Sequence, residues 1–188
     1  GTTSGTAPLQ ITPSNLHGIT YDMPIASAQV KSAILLAGLY TNESTTIVES
    51  EPTRNHTELM LQSMGAKIDH DNNSIHIEPS SALEPISLTI PADISSAAPW
   101  LVLGACHPNA EIQIQKVGTN PTRTGLLDIL RRMGAQLEIE TITDSGIEPM
   151  SNLLIRTSQL IGTTIAGEEI PRAIDELPLI ALLGCYAK

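Results

Sequence analysis

The sequence predicts an α/β fold assembled from copies of one βαβαββ unit. Two observations carry this. Apolar segments with helical spacing alternate with short β-branched runs, and the order of landmarks in the first part of the chain recurs further on. A Ser-led apolar helix, a Pro-Thr-Arg step and a Met-Gly-Ala helix end fall at Ser27, Pro52 and Met64, then at Ser95, Pro121 and Met133, about 70 residues later. A third helix opening, Asp175-Glu176-Leu177-Pro178, begins a further copy, so the reading is two units and a fraction. Units of this size, with two helices and several strands, exceed the repeats of helical solenoids and point to a domain built from copies.

In chain order, Ser27 precedes an apolar run through Gly38 and is placed to cap a helix, its hydroxyl accepting from a free first-turn amide. Thr46-Ile47-Val48 is a β-branched run that reads as a strand. Pro52-Thr53-Arg54 leads into a second helix closing at Met64-Gly65, where glycine tolerates the left-handed backbone of a helix end. Ile68 through Ile77 reads as two strands around an Asp71-Asn72-Asn73 turn. Pro79, Pro85 and Pro91 bracket the passage to the second copy, which places a domain crossover at about residues 80–92. There Ser95-Ser96 opens a helix through Ala105, Ile112-Gln113-Ile114 alternates like a strand, and Pro121-Thr122-Arg123 starts the helix ending at Met133-Gly134. The last opening leads into a helix over Leu179–Ala187.

Composition narrows the function. Among 188 residues, 20 Asp+Glu face 10 Lys+Arg, for a formal charge of −10, and the aromatics are one Trp and three Tyr with no Phe. The core must therefore be aliphatic, and an acidic chain with so little stacking surface is a poor nucleic-acid binder. No apolar run reaches the roughly 18 residues of a membrane span, and the opening GTTSGTAPLQ has no signal-peptide pattern. Cys106 and Cys185 both lie in apolar helical runs and read as free thiols, so cytoplasm is the expected compartment. Both ends read as cut, which makes the chain a piece of something longer. The five His show no metal-ligand spacing, and His56 reads as a helix hydrogen-bonder.

Several residues invite a chemical reading. The start of the Ser27 helix offers the Ser27 hydroxyl, the Ala28 amide and the Gln29 side chain at the positive end of a helix, which is either a cap alone or a cap that also holds a phosphate. Lys31 lies one turn on and either joins the same anion or points to solvent, so it is left outside the site. Arg54 has the fork that fits phosphate or carboxylate, with a plain surface Arg as the alternative. Asp175 and Glu176 interrupt the apolar stretch Ile174 to Ala181, where a carboxylate needs a partner or a task; capping by Asp175 is the plainer option. Ser95 and Ser96 read as caps, and Asn120 and Arg123 as turn and helix-start residues.

The wording of PIASAQVKSAILLAGL (24–39), EPTRNHTELML (51–61), PADISSAAPWLVLGA (91–105), NPTRTGLLDILRRMGA (120–135) and IPRAIDELPLIAL (170–182) resembles the EPSP synthase (5-enolpyruvylshikimate-3-phosphate synthase) family, in order and over nearly the whole chain. Ser27–Lys31, Arg54–Glu58 and Asn120–Arg123 are similar to the motifs of its class II form, which is associated with glyphosate tolerance. The resemblance implies transfer of the enolpyruvyl group of phosphoenolpyruvate to the 5-hydroxyl of shikimate 3-phosphate, releasing phosphate, with neither metal nor organic cofactor. It implies an inside-out α/β barrel in two hinged domains. Residues 1–85 would be the last part of the N-terminal domain and 86–188 the first part of the C-terminal one. It further implies that Ser27, Ala28, Gln29 and Arg54 bind shikimate 3-phosphate, that Asp175 binds the ring hydroxyls and moves a proton, and that Glu176 assists in binding. The family's N-terminal Lys/Ser/Arg motif, Gly-rich loop and C-terminal cationic grip on phosphoenolpyruvate are not in this sequence, so the missing segments of the same enzyme are the expected partner. The acidic charge agrees with that. Two rivals remain: the enolpyruvyl transferase that uses UDP-N-acetylglucosamine, disfavoured by the SAQVK and IDELP wording, and a non-catalytic repeat module of the same architecture. Binding of shikimate 3-phosphate separates the three.

Overall fold

A computed structural model describes residues 7, 10–143, 146–167 and 169–188; most of the Gly/Thr/Ser opening lies outside the described residues. Strand β1 (Thr20–Asp22), helix α1 (Ala28–Gly38), β2 (Thr45–Val48), α2 (His56–Ser63), β3 (Ile68–Asp71) and β4 (Ser74–Ile77) form the first unit. The second contains α3 (Ile94–Cys106), β5 (Glu111–Gly118), α4 (Gly125–Arg132), β6 (Gln136–Ile142) and β7 (Met150–Arg156). Helix α5 (Glu169–Arg172), a 3-10 turn at Ile174–Glu176 and α6 (Leu177–Tyr186) follow.

Pairing shows that the units are copies in topology as well as wording. The first sheet runs β1-β2-β4-β3, with β1 parallel to β2 and the other pairs antiparallel. The second runs β5-β7-β6, both pairs antiparallel. Its opening strand is reduced to one parallel bridge, Ala92 to Val117, so Ala92 stands to β5 as β1 stands to β2. Pro91, which has no amide to donate, keeps that edge short.

Apolar residues separate into two clusters. Leu35, Ile47, Leu61, Ile68, Ile75 and Ile77 centre the first. The second gathers Leu101, Leu126, Ile129, Leu130, Leu153 and Ile155 with Leu183 of α6. Helix α3 lies so close to its sheet that a methyl group added at Gly104 would come within 2.4 Å of Ile155 Cγ2. Helices α2 and α4 end as expected, with Gly65 at φ 90° and Gly134 at φ 83°. The β3–β4 hairpin turns at Asn72, φ 52°, a value an Asn side chain tolerates.

Three helix starts depart from the sequence reading. Helix α3 is capped by Asp93, whose carboxylate accepts from the Ser95 amide at 3.2 Å and the Ser96 amide at 3.0 Å. Ser95 and Ser96 are thus its first-turn residues, because the carboxylate before them satisfies two free amides at once. Asp175 does not cap a helix; it sits in the 3-10 turn, and α6 begins at Leu177 with Pro178 in its first turn, where a missing amide costs nothing. Helix α5 carries no apolar periodicity and was not expected. No helix among the described residues is long and apolar enough to cross a membrane.

Candidate active site between the repeat units

The first side of the site is the start of α1. Ser27 takes an extended backbone (φ −142°, ψ 109°), its Oγ accepts from the Val30 amide at 3.4 Å, and it donates to Gln29 Oε1 at 3.3 Å. The early amides and the positive end of an eleven-residue helix therefore face the same space as these side chains.

Arg54 is presented by a buried ion cluster. Lys31, which the spacing assigns to solvent or to the same anion as the Ser27 helix start, turns instead to two carboxylates of its own unit: its side chain is 1% exposed, and Nζ lies 2.7 Å from Glu58 Oε1 and 3.3 Å from Glu49. The ammonium also donates to the Thr53 carbonyl at 3.4 Å. Glu49 Oε1 in turn accepts from the Thr53 amide at 3.1 Å and the Thr53 hydroxyl at 2.5 Å. An ammonium at a buried position needs such partners, and here they fix the residue immediately before Arg54.

Asp175 stands opposite, on a turn locked from below. Arg172 donates to the Pro121 carbonyl at 2.9 Å and to Asp128 Oδ2 at 2.7 Å, and Ala173 is fully buried. A methyl group at Gly125 would come within 2.9 Å of Ala173 Cβ, so the start of α4 and this turn touch with no room between them. Asp175 Oδ2 forms an ion pair with Arg54 across the cleft and lies 3.5 Å from the Arg123 guanidinium.

These pieces meet in one cleft of about 740 Å³ whose lining includes Ser27, Ala28, Gln29, Arg54 and Asp175, together with Thr53, Pro121, Thr122 and Arg172. Five of the six residues singled out in the sequence are thereby brought together. Glu176 is not: it is buried at 2% exposure, turned toward α3, and accepts from Ser95 Oγ at 2.5 Å. It supports the turn rather than lining the cleft.

Comparison with known proteins decides the family. The family model described as EPSP synthase (3-phosphoshikimate 1-carboxyvinyltransferase) matches residues 2–188. The chain belongs to the EPSP synthase family. Its relatives include the 3-phosphoshikimate 1-carboxyvinyltransferases of Bacillus subtilis (strain 168), 48% identical over 181 residues, and of Roseiflexus sp. (strain RS-1), 49% identical over 185. The matches cover 96% and 97% of this chain but only 42% and 43% of those proteins. An EPSP synthase structure from Acinetobacter baumannii superposes over the whole chain and 43% of its own, with TM-score 0.89 and 41% identity. The enolpyruvyl transferase NikO of Streptomyces tendae shares the fold at TM-score 0.70 and 22% identity, over 94% of this chain and 44% of its own. The fold is thus that of the enolpyruvyl transferases, represented here in part.

What sequence reading missed in this member of the family is the wiring across the cleft. Asn120 makes the expected turn, its Oδ1 accepting from the Thr122 amide at 2.9 Å, but its Nδ2 also donates to Asn55 Oδ1 of the first unit at 2.8 Å. His56, at the start of α2, meets Glu148 Oε1 at 2.6 Å. Arg123, read as a helix-start residue, donates to Ser95 Oγ at 2.6 Å as well as facing Asp175. The repeat itself was the available signal, since Arg123 is the counterpart of Arg54 in the Pro-Thr-Arg step. At Asp93, burial opposes the charge. Hydrogen bonds from the Ser96 hydroxyl and the Ser95 and Ser96 amides, with Arg123 nearby, still hold its carboxyl below the usual range.

Proposed function

We propose that this chain supplies the shikimate 3-phosphate side of an enzyme that moves the enolpyruvyl group of phosphoenolpyruvate to the 5-hydroxyl of that substrate, releasing phosphate. The observation that carries the reading is the meeting, in one cleft, of a helix start bearing Ser27, Ala28 and Gln29, the Arg54 guanidinium and the Asp175 carboxylate. A phosphate suits the first group, since amides, a hydroxyl and a guanidinium all donate to its oxygens. Asp175 suits the hydroxyl end: it accepts the 5-hydroxyl proton as that oxygen bonds to the enolpyruvyl carbon, and the phosphate of phosphoenolpyruvate departs. Entry of the substrate phosphate replaces Asp175 as the partner of Arg54, which frees the carboxylate for the hydroxyls.

Residues 1–85 and 86–188 are, in this reading, the end of one domain and the start of the next; the two apolar clusters and the proline-bracketed passage support it. Two unpaired thiols, Cys106 and Cys185, favour a cytoplasmic setting. The groups that hold phosphoenolpyruvate belong to the remainder of the enzyme, so the 188 residues alone bind substrate at most. The test is a completed enzyme, in which this chain replaces the matching stretch of the B. subtilis relative, assayed for phosphate release. Turnover with shikimate 3-phosphate and none with UDP-N-acetylglucosamine is expected. A folded completed enzyme that turns over neither substrate refutes the reading.

A further inference from the structure

We infer that Arg123 is a positioning residue for the reaction, holding Asp175 in place when substrate draws Arg54 away. The inference rests on the reading of the cleft above, and three observations carry it. Arg123 is itself mostly buried, with 16% of its side chain exposed, in contrast to the 46% of Asp175. One of its nitrogens, Nη2, meets both anchors, donating to Ser95 Oγ at 2.6 Å and pairing with Asp175 Oδ2 at 3.5 Å, with Asp93 Oδ1 at 3.8 Å. Ser95 passes the contact on to the buried Glu176, so the two neighbouring carboxylates, Asp175 and Glu176, are tied to one arginine directly and through one hydroxyl.

Among the described residues, the other partner of Asp175 is Arg54, which comes from the opposite unit. If the substrate phosphate takes Arg54, a carboxylate on a short exposed turn would be free to rotate, and a proton acceptor must stay within hydrogen-bond reach of its hydroxyl. Arg123 lies on the same side of the cleft as Asp175, where α3, α4 and α6 share one apolar cluster. The planar guanidinium holds the two hydrogens of Nη2 in one fixed plane, between Ser95 and Asp175; a lysine ammonium rotates freely and fixes no such plane. Glu176 explains why the fork does not swing: its burial anchors Ser95, and Ser95 anchors Arg123.

Arg123→Ala in the completed enzyme should lower kcat about 10²-fold, the cost of a misplaced reacting group. The KM for shikimate 3-phosphate should stay within about threefold, because the phosphate contacts are untouched. Arg123→Lys should fall between the two. The deciding measurement is the same substitution in an Asp175→Asn background, where it should change kcat by less than about twofold, since a residue that acts through Asp175 has nothing left to position. If Arg123→Ala does not give folded protein, Arg123→Lys carries the same comparison. Equal losses of kcat in both backgrounds, or a raised KM with kcat intact, overturn the proposal while leaving the cleft assignment standing. Absence of turnover in the unsubstituted completed enzyme overturns both.

Discussion

Removing the ammonium of Lys31 tests how the first side of the cleft is built. Lys31 and Glu58 are each 1% exposed and Glu49 only 10%, so Lys31→Ala leaves two carboxylates facing each other with no cation and little water. Breaking one buried ion pair costs about 3–5 kcal/mol. The lost bond from the ammonium to the Thr53 carbonyl adds about 1.5–3 kcal/mol where a charged donor is involved. These terms overlap, and a total of about 4 kcal/mol is expected, enough to consume much of a small domain's stability. Urea denaturation followed by circular dichroism measures it as a fall in midpoint at constant slope. The pair Lys31→Met with Glu58→Leu should be far milder than Lys31→Ala, since replacing both charges by apolar groups removes the desolvation cost along with the attraction. A loss below about 1 kcal/mol for Lys31→Ala would refute the reasoning, because it would mean that the carboxylates do not depend on this cation.

Arg54→Ala should weaken shikimate 3-phosphate binding by about 1.5–3 kcal/mol, measured by calorimetry on the completed enzyme, and an unchanged Kd would remove Arg54 from the site. Asp175→Asn keeps shape and one acceptor but removes the base, so kcat should fall about 10²–10⁴-fold; a variant that lost affinity alone would make Asp175 a binding residue. Asp93 gives a pH dependence with a defined sign. Its carboxyl is held below the ordinary value, so the stability it lends is present above that value and disappears as pH falls through the lower, folded one. Asp93→Asn still caps α3 but cannot titrate, and the acid limb of the unfolding curve should be shallower in that variant than in the parent.

The parts of this protein legible in its sequence are those governed by neighbours along the chain. Ser27, Gly65, Gly134 and the Asn72 turn act on backbone within a few residues, and each does what its residue type dictates. Asp93 was missed as a cap because two hydroxyl residues after it mimic one, and only geometry shows which oxygen reaches the free amides. Lys31 could not be read correctly at all. On α1 it looks like a polar interruption, and the partners that bury it come from β2's end and from α2, 18 and 27 residues away. The same holds for Glu176, which shares a sequence motif with Asp175 yet faces the opposite way because adjacent residues on a tight turn point to different sides.

In the proposed reading, the duplication explains why only one of two similar helix starts takes a phosphate. Both units place a small polar residue before or at the opening of an apolar helix and an arginine after a Pro-Thr step. In the first unit the start of α1 is capped only by the Ser27 hydroxyl, at the long distance of 3.4 Å, and Arg54 reaches across into the cleft. The α3 start in the second unit already holds an anion, the carboxylate of Asp93, which engages two amides and the Ser96 hydroxyl. A second anion there would meet repulsion where the first meets attraction. Arg123 is correspondingly turned inward, to Ser95, Asp93 and Asp175. The two copies thus differ at the cap: the proposed reading gives the ligand to the unit with the open helix start, and gives the equivalent arginine of the unit whose helix start is closed by its own carboxylate the task of holding Asp175.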